Sequence, residues 1–258
     1  MIADDKPILF NTDEHYDEIE LYILHDIHYG NECFNNDKWK KMKAEILSEP
    51  NRFVCFVGDA IENAVPGSKS DMFTQTCPPE DQKEWFAEQL TDLAERVLCV
   101  TDGNHENNRS TKMCGLYPLY DCCFMAGIKD RYRHGFALCD IGVGKGDHKG
   151  RQLHYVGMCT HRAKDLKSFN SADCIDGIDF FLFGHDHDPK DHPRQKMVYD
   201  SKNKTISYKS VEVINAGSFL DYGGYAVHGA YRPLSGKSYK LILSGRGQKK
   251  IQTIGFYL

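Results

Sequence analysis

"VLCVTDGNHE" (Val97–Glu106) opens on an unbroken apolar run and ends in Asp102-Gly103-Asn104-His105-Glu106. A short apolar run with no polar alternation reads as a strand buried on both faces, the kind a sheet carries when other layers cover it. In open α/β sheets, ligands bind beyond the carboxyl ends of the strands. The residues that follow each core strand are therefore where chemistry is to be sought.

Working outward, Leu21–His25 and Phe53–Val57 are two more such runs, and Phe180–Phe183 and Val211–Ile214 are two further ones. Helical periodicity separates them. Trp39, Met42 and Ile46 share one face of a helix expected from Lys38 to about Glu49, with Asp37 as candidate cap and Pro50 closing it. Pro78 and Pro79 introduce a second helix with Phe86, Leu90 and Leu93 at 3–4 spacing, and a third is expected between Pro118 and Gly127. Strands are also expected at Gly135–Val143 and Leu153–Cys159. Gly142, Gly144, Gly146 and Gly150 mark the turn between these two, and the tail (238–243 and 251–258) reads as all-β. The alternation points to an α/β fold with a parallel or mixed sheet covered on both faces.

The strand exits repeat one theme. Asp26 and His28 follow the first run, Gly58-Asp59 the second and Gly103-Asn104-His105-Glu106 the third. His161 ends LHYVGMCT, and Gly184-His185-Asp186-His187 ends DFFLF. Imidazole, carboxylate and amide oxygen together suit Mn, Fe or Zn ions. In D-x-H and H-x-H the ligands are two apart, so an extended strand end presents both on one side. A lone Gly-Asp or a lone His beside an apolar run is ordinarily a turn or a packed core residue. The order and the shared context make the set specific.

In that order, D-x-H, G-D, G-N-H-E, H and G-H-x-H, the chain resembles the calcineurin-like metallophosphoesterase superfamily, from Asp26 to His187. Val213–Ser218 also looks like a stretch of the small bacterial phosphodiesterases of that superfamily, with Ala216 where they usually have Pro. The resemblance implies a single domain over 1–258, two mixed β-sheets packed as a sandwich and flanked by helices. It implies two divalent transition-metal ions, manganese first, with Fe, Zn or Ni as alternatives. Asp26, His28, Asp59 and His187 would hold one ion; Asp59, Asn104, His161 and His185 the other. It implies phosphoester hydrolysis by in-line attack of a metal-activated hydroxide, with His105 protonating the leaving oxygen. Glu62 lies where relatives place an acid that orients that histidine, although a solvated helix-start glutamate is an equal reading. Arg109 is a candidate for binding a substrate phosphate, against the default of an exposed loop arginine.

The substrate class is narrower than the fold. The Ser/Thr phosphatase pattern G-D-x-x-D-R-G is here GDAIENA, with Asn63 in place of the arginine. A phosphodiesterase acting on nucleotides or nucleic acid is the preferred expectation, with a phosphomonoesterase as alternative and a non-catalytic interaction module on the same fold as the less favoured class. The net charge of -5 disfavours a general electrostatic grip on DNA, though a first shell of two divalent ions and two aspartates is formally positive. No long uncharged apolar run suggests a membrane span and the acidic N-terminus does not read as a secretory signal. The ten cysteines are scattered, without C-x-x-C or zinc-finger spacing. That pattern suits a reduced, cytoplasmic protein rather than a disulfide framework. Lys38, Lys40, Lys41 and Lys43 read as the wet face of a helix, and His25 as a packed or supporting residue.

Overall fold

A computed structural model describes residues 6–68, 70–145, 150–161 and 175–257. In chain order the strands are β1 (Ile8–Asn11), β2 (Glu18–Leu24), β3 (Arg52–Val57), β4 (Val97–Thr101), β5 (Tyr132–Arg133), β6 (Phe136–Val143) and β7 (Leu153–Thr160). They continue with β8 (Phe180–Phe183), β9 (Lys190–Asp191), β10 (Arg194–Asp200), β11 (Thr205–Asn215), β12 (Lys237–Ser244) and β13 (Ile251–Tyr257). One sheet runs β13-β12-β2-β3-β4-β5; the other runs β1-β6-β7-β8-β11-β10, with β9 on β11. Both are mixed. β2, β3, β4 and β5 are parallel neighbours while β12 is antiparallel to β2, and β7, β8 and β11 are parallel while β6 is antiparallel to β7.

The unbroken apolar runs have a direct physical reason. Leu21 and Ile23 of β2 pack into the core between the sheets, with Cys55 and Val57 of β3 and Ile141 and Tyr155 from the opposite sheet. Tyr22 and Leu24, pointing the other way, pack with Val54 and Phe56 under the helices. Those helices are α1 (Asn36–Leu47), α2 (Pro79–Asp92) and a shorter one at Pro118–Met125. Trp39, Met42 and Ile46 of α1 and Phe86 and Leu90 of α2 are the buried stripe, as the 3–4 spacing requires. Both faces of the central strands are thus dry, and truncating a ring such as Phe86 to Ala should cost about 3–5 kcal/mol.

Some boundaries differ from the sequence expectation. The cap of α1 is Asn35, whose side chain accepts from the Lys38 backbone N–H, and Asp37 lies inside the first turn. Lys38 is not on a wet face: its Nζ donates to Ser218 O at 2.7 Å and lies over the Phe219 ring. Strands β1 and β10 and the first part of β11 (205–210) were not expected, whereas the rest of β11 falls on the expected run Val211–Ile214. The centre of the glycine-marked turn (146–149) lies outside the described residues. No helix among the described residues is long and apolar enough to cross a membrane.

Candidate metal centre

The topology brings the carboxyl ends of β2, β3, β4, β7 and β8 to one edge of the sandwich, where the two sheets meet. The turns there are tight enough to need unusual backbone. Asp26, His28, Asp59 and His185 all have positive φ, between 49° and 78°. Gly58 (φ 77°) and Gly103 pack backbone to backbone, and a Cβ on Gly103 would lie 2.0 Å from Asp59 Oδ1. Only glycine lets these two exits approach.

The side chains form contiguous donor groups. Asp26, His28 and His187 offer ligand atoms within 4.8 Å of one another, as do Asp59, His161 and His185, and as do His28, Asp59 and His105. Asp26 Oδ1 is ringed by His187 Nε2 at 3.1 Å, His28 Nε2 at 3.3 Å and His161 Nε2 at 3.8 Å. It makes a proper hydrogen bond with none of them, and Asn104 Oδ1 is likewise buried and unpartnered. Asp59 Oδ2 lies 3.0 Å from His161 Nε2 and 4.0 Å from His28 Nε2, so it stands between the groups. Buried polar atoms left without hydrogen bonds are costly, and a cation shared among them removes that cost. The oxygen and nitrogen donor set fits a pair of divalent transition ions.

The supporting contacts are specific. His25 donates from Nδ1 to Asp26 Oδ2 (2.5 Å) and accepts at Nε2 from the Ala216 N–H (2.8 Å), which fixes its tautomer and ties the Val213–Ser218 stretch to a candidate ligand. The His161 Nδ1–H donates to Val57 O at 2.7 Å, leaving Nε2 for the centre. Glu106, which carried no role in the sequence reading, is fully buried. Its carboxylate accepts from the backbone N–H groups of Gly103 (2.8 Å), Asp59 (3.1 Å) and Ile61 (3.2 Å). It pins the G-D turn to the G-N-H-E turn, a role its place in the motif could have suggested.

Glu62 and Arg109 share one buried network with His105. The Glu62 carboxylate faces His28 Nδ1 (3.3 Å), accepts from Asn31 Nδ2 (3.0 Å) and pairs with Arg109 Nη1 (3.2 Å). Its Oε1 also lies 3.7 Å from His105 Nδ1, while its backbone carbonyl accepts from that Nδ1–H at 2.8 Å. Arg109 is no exposed loop residue. It lies in a π-helical turn (Asn107–Thr111), is largely buried, and donates to Ser70 Oγ (2.9 Å) and to His105 Nε2 (3.0 Å). Asn63 donates to His105 O (3.0 Å) and Ser110 Oγ (2.9 Å), so its amide holds the His105 turn.

The electrostatics follow from this packing. Burial opposes ionisation of Asp26, but the imidazoles of His161 and His187 outweigh it and hold the carboxyl well below the usual range. Asp59 and Glu62 are held low against the same burial, Asp59 by His105 and His161 and Glu62 by His28. Burial alone would lower His161, yet Asp59 and Asp26 carry it up to about 9. His105 goes the other way: burial, with His28 and Arg109 adding, brings it down to about 4 despite Asp59. Burial beside Asp59 and Asp102 pushes Glu106 up to about 8.

No protein-family model and no curated protein matches the sequence. Among solved structures, a predicted phosphoesterase from Streptococcus pneumoniae matches at 12% identity and a TM-score of 0.38, over 92% of this chain and 98% of its own. The calcineurin-like phosphoesterase YfkN from Bacillus subtilis matches at 12% identity and 0.42, over 93% and 90%. Chaetomium thermophilum Vps29 matches at 10% and 0.40, over 92% and 95%. The architecture, two mixed β-sheets with flanking helices, is the one the motif resemblance implied. At such identities the site stands on its own geometry.

Proposed function

We propose that the chain is a binuclear metal-dependent phosphoester hydrolase, preferring phosphodiesters of the nucleotide or nucleic-acid class. The observation that carries this reading is the convergence of Asp26, His28, Asp59, Asn104, His161, His185 and His187 from five strand exits, with buried ligand-grade oxygens unpartnered. Asp26, His28 and His187 would hold one ion and Asn104, His161 and His185 the other, with Asp59 between them. Two divalent ions, manganese first, would supply Lewis acidity and an activated water there.

The remaining chemistry belongs to side chains. His105 would protonate the leaving oxygen from Nε2, the nitrogen that Glu62 O leaves free by holding Nδ1–H. In the resting arrangement Arg109 donates to that same Nε2. An incoming phosphoryl oxygen competes for the guanidinium, frees Nε2, and by its negative charge favours a proton on the imidazole. Glu62 positions His28 and Arg109 together. Asn63 spends its amide on the His105 turn where the phosphatase pattern has an arginine clamp. One fewer cation there suits the singly charged diester over a doubly charged monoester.

The test compares hydrolysis of a phosphodiester, a phosphomonoester and single-stranded DNA by metal-loaded protein, with Asp59→Asn and His105→Ala as controls. Mn²⁺-dependent diester cleavage lost in both variants is expected. Absence of hydrolysis on every ester with two ions bound would overturn the reading, and a monoester preference would overturn its substrate class.

A further inference from the structure

A second set of metal-grade donors lies in the core between the sheets. Cys55 of β3, Cys99 of β4, Cys139 of β6 and Cys159 of β7 are each at most 1% exposed. Cys55 and Cys99 are direct partners across the parallel β3–β4 ladder. On the facing sheet Cys139 pairs with Gly157 and Cys159 with Ala137, so those two thiols are diagonal neighbours on one face of the β6–β7 ladder. β3 packs on β7 and β4 on β6, which sets one pair of thiols over the other. The sulfurs of Cys55, Cys99 and Cys159 lie within 4.8 Å of one another. Cys139 lies in the same buried cluster, one diagonal step from Cys159 on the inward face of the β6–β7 ladder. All four are free thiols.

Cysteine is a common core residue, and four of them could fill volume as small apolar groups. Packing, however, does not require that three thiols from both sheets meet within 4.8 Å with a fourth beside them on the same inward face. The geometry points to a mononuclear tetrathiolate site, formed by Cys55, Cys99, Cys139 and Cys159, for a thiophilic divalent cation of the zinc class. A tetrahedral ion with Zn–S bonds of about 2.3 Å sets its sulfurs about 3.8 Å apart, within reach of the three sulfurs of Cys55, Cys99 and Cys159 that already lie within 4.8 Å. An iron–sulfur cluster, with irons and sulfides interposed, needs a wider set. One divalent ion enters, four S–H bonds give way to four metal–sulfur bonds, and four protons leave to solvent. The product is doubly negative. Because the thiols are sealed between the sheets, the ion must enter before the sheets close, and binding is coupled to folding.

This site is independent of the His/Asp centre, and cobalt separates the two. Protein is refolded with Co²⁺ under anaerobic reducing conditions, as wild type, as Asp59→Asn and as the double variant Cys55→Ala/Cys99→Ala. The expected result is an intense near-ultraviolet thiolate-to-cobalt charge-transfer band with the strong visible bands of a tetrahedral thiolate ion. It should appear in wild type and in Asp59→Asn and vanish in the double variant, with one fewer metal per chain. Cobalt bound by histidine and carboxylate gives no thiolate band, so loss of the exit centre cannot mimic this outcome. Folded wild type without the band, with native mass equal to that of the metal-free tetrathiol or of a disulfide form, overturns the proposal. The wild-type measurement decides by itself if the double variant fails to fold.

Discussion

The ends and the middles of the same strands carry donor sets of opposite character. β3 holds Cys55 in its middle and delivers Asp59 just past its end; β4 holds Cys99 and delivers Asn104; β7 holds Cys159 one residue before its end and delivers His161. The end set is oxygen and nitrogen, supported by carboxylates and backbone amides, with His105, His185 and His187 partly open to solvent. The middle set is sulfur, closed on every side by Ile, Leu, Val and Phe. One layer is open at its rim; the other is sealed. The difference lies in depth along the strand, a few residues apart.

The comparison breaks most sharply at Asp59, which stands between the donor groups of the exits. Asp59→Asn should bring turnover to background and lower metal content at the exits, read by metal analysis and a phosphodiester assay, while the core layer stays as it is. His105→Ala should keep the exit metals and lower kcat by about 10²–10⁴-fold on an ester with a poor leaving group. A value near wild type would remove the acid role.

A pH series sharpens the same contrast. His161 in the metal-free fold holds its proton up to about 9, above the usual imidazole range, so an ion binding below that pH must displace it. Apparent metal affinity at the exits should therefore rise about tenfold per pH unit and level off as pH passes through 9, measured by competition with a chelator of known pH dependence. The stability that the His161 proton gives the metal-free fold is complete below the unfolded value near 6.5 and fades as pH rises toward 9. The smallest effect is expected at Arg109. Arg109→Ala should raise KM for a diester about tenfold, the worth of one charge-assisted hydrogen bond, with a smaller change in kcat. An unchanged KM would leave the guanidinium as a prop for Glu62 alone.

How far each layer could be read in the sequence follows from the same geometry. The exits were legible because each motif is contiguous: a few adjacent residues break an apolar run, and the break recurs after five strands. The core thiols were not, because each strand gives a single cysteine at an inward position, indistinguishable from a small apolar residue until the two sheets face each other. β2, β3, β4 and β8 were legible as continuous apolar runs. β1 has only four residues with Leu9 exposed, and β10 and the first part of β11 (205–210) carry their large apolar side chains, Met197, Tyr199 and Tyr208, outward, so neither has the pattern of a buried strand. The burial of Arg109 was not legible because a π-helical turn rotates side chains off the ordinary helical phase, which local spacing does not reveal.

The left-handed backbone at Asp26, His28, Asp59 and His185 carries one further consequence. Such conformations cost on the order of 1–3 kcal/mol each for residues with a Cβ, and glycine at any of them would relax the chain. At Asp26 and Asp59 that relief is offset, because glycine would strip the acceptors from His25 Nδ1 and from the His185 and His105 backbone N–H groups. A screen for hardier variants has to weigh melting temperature against bound metal at every round.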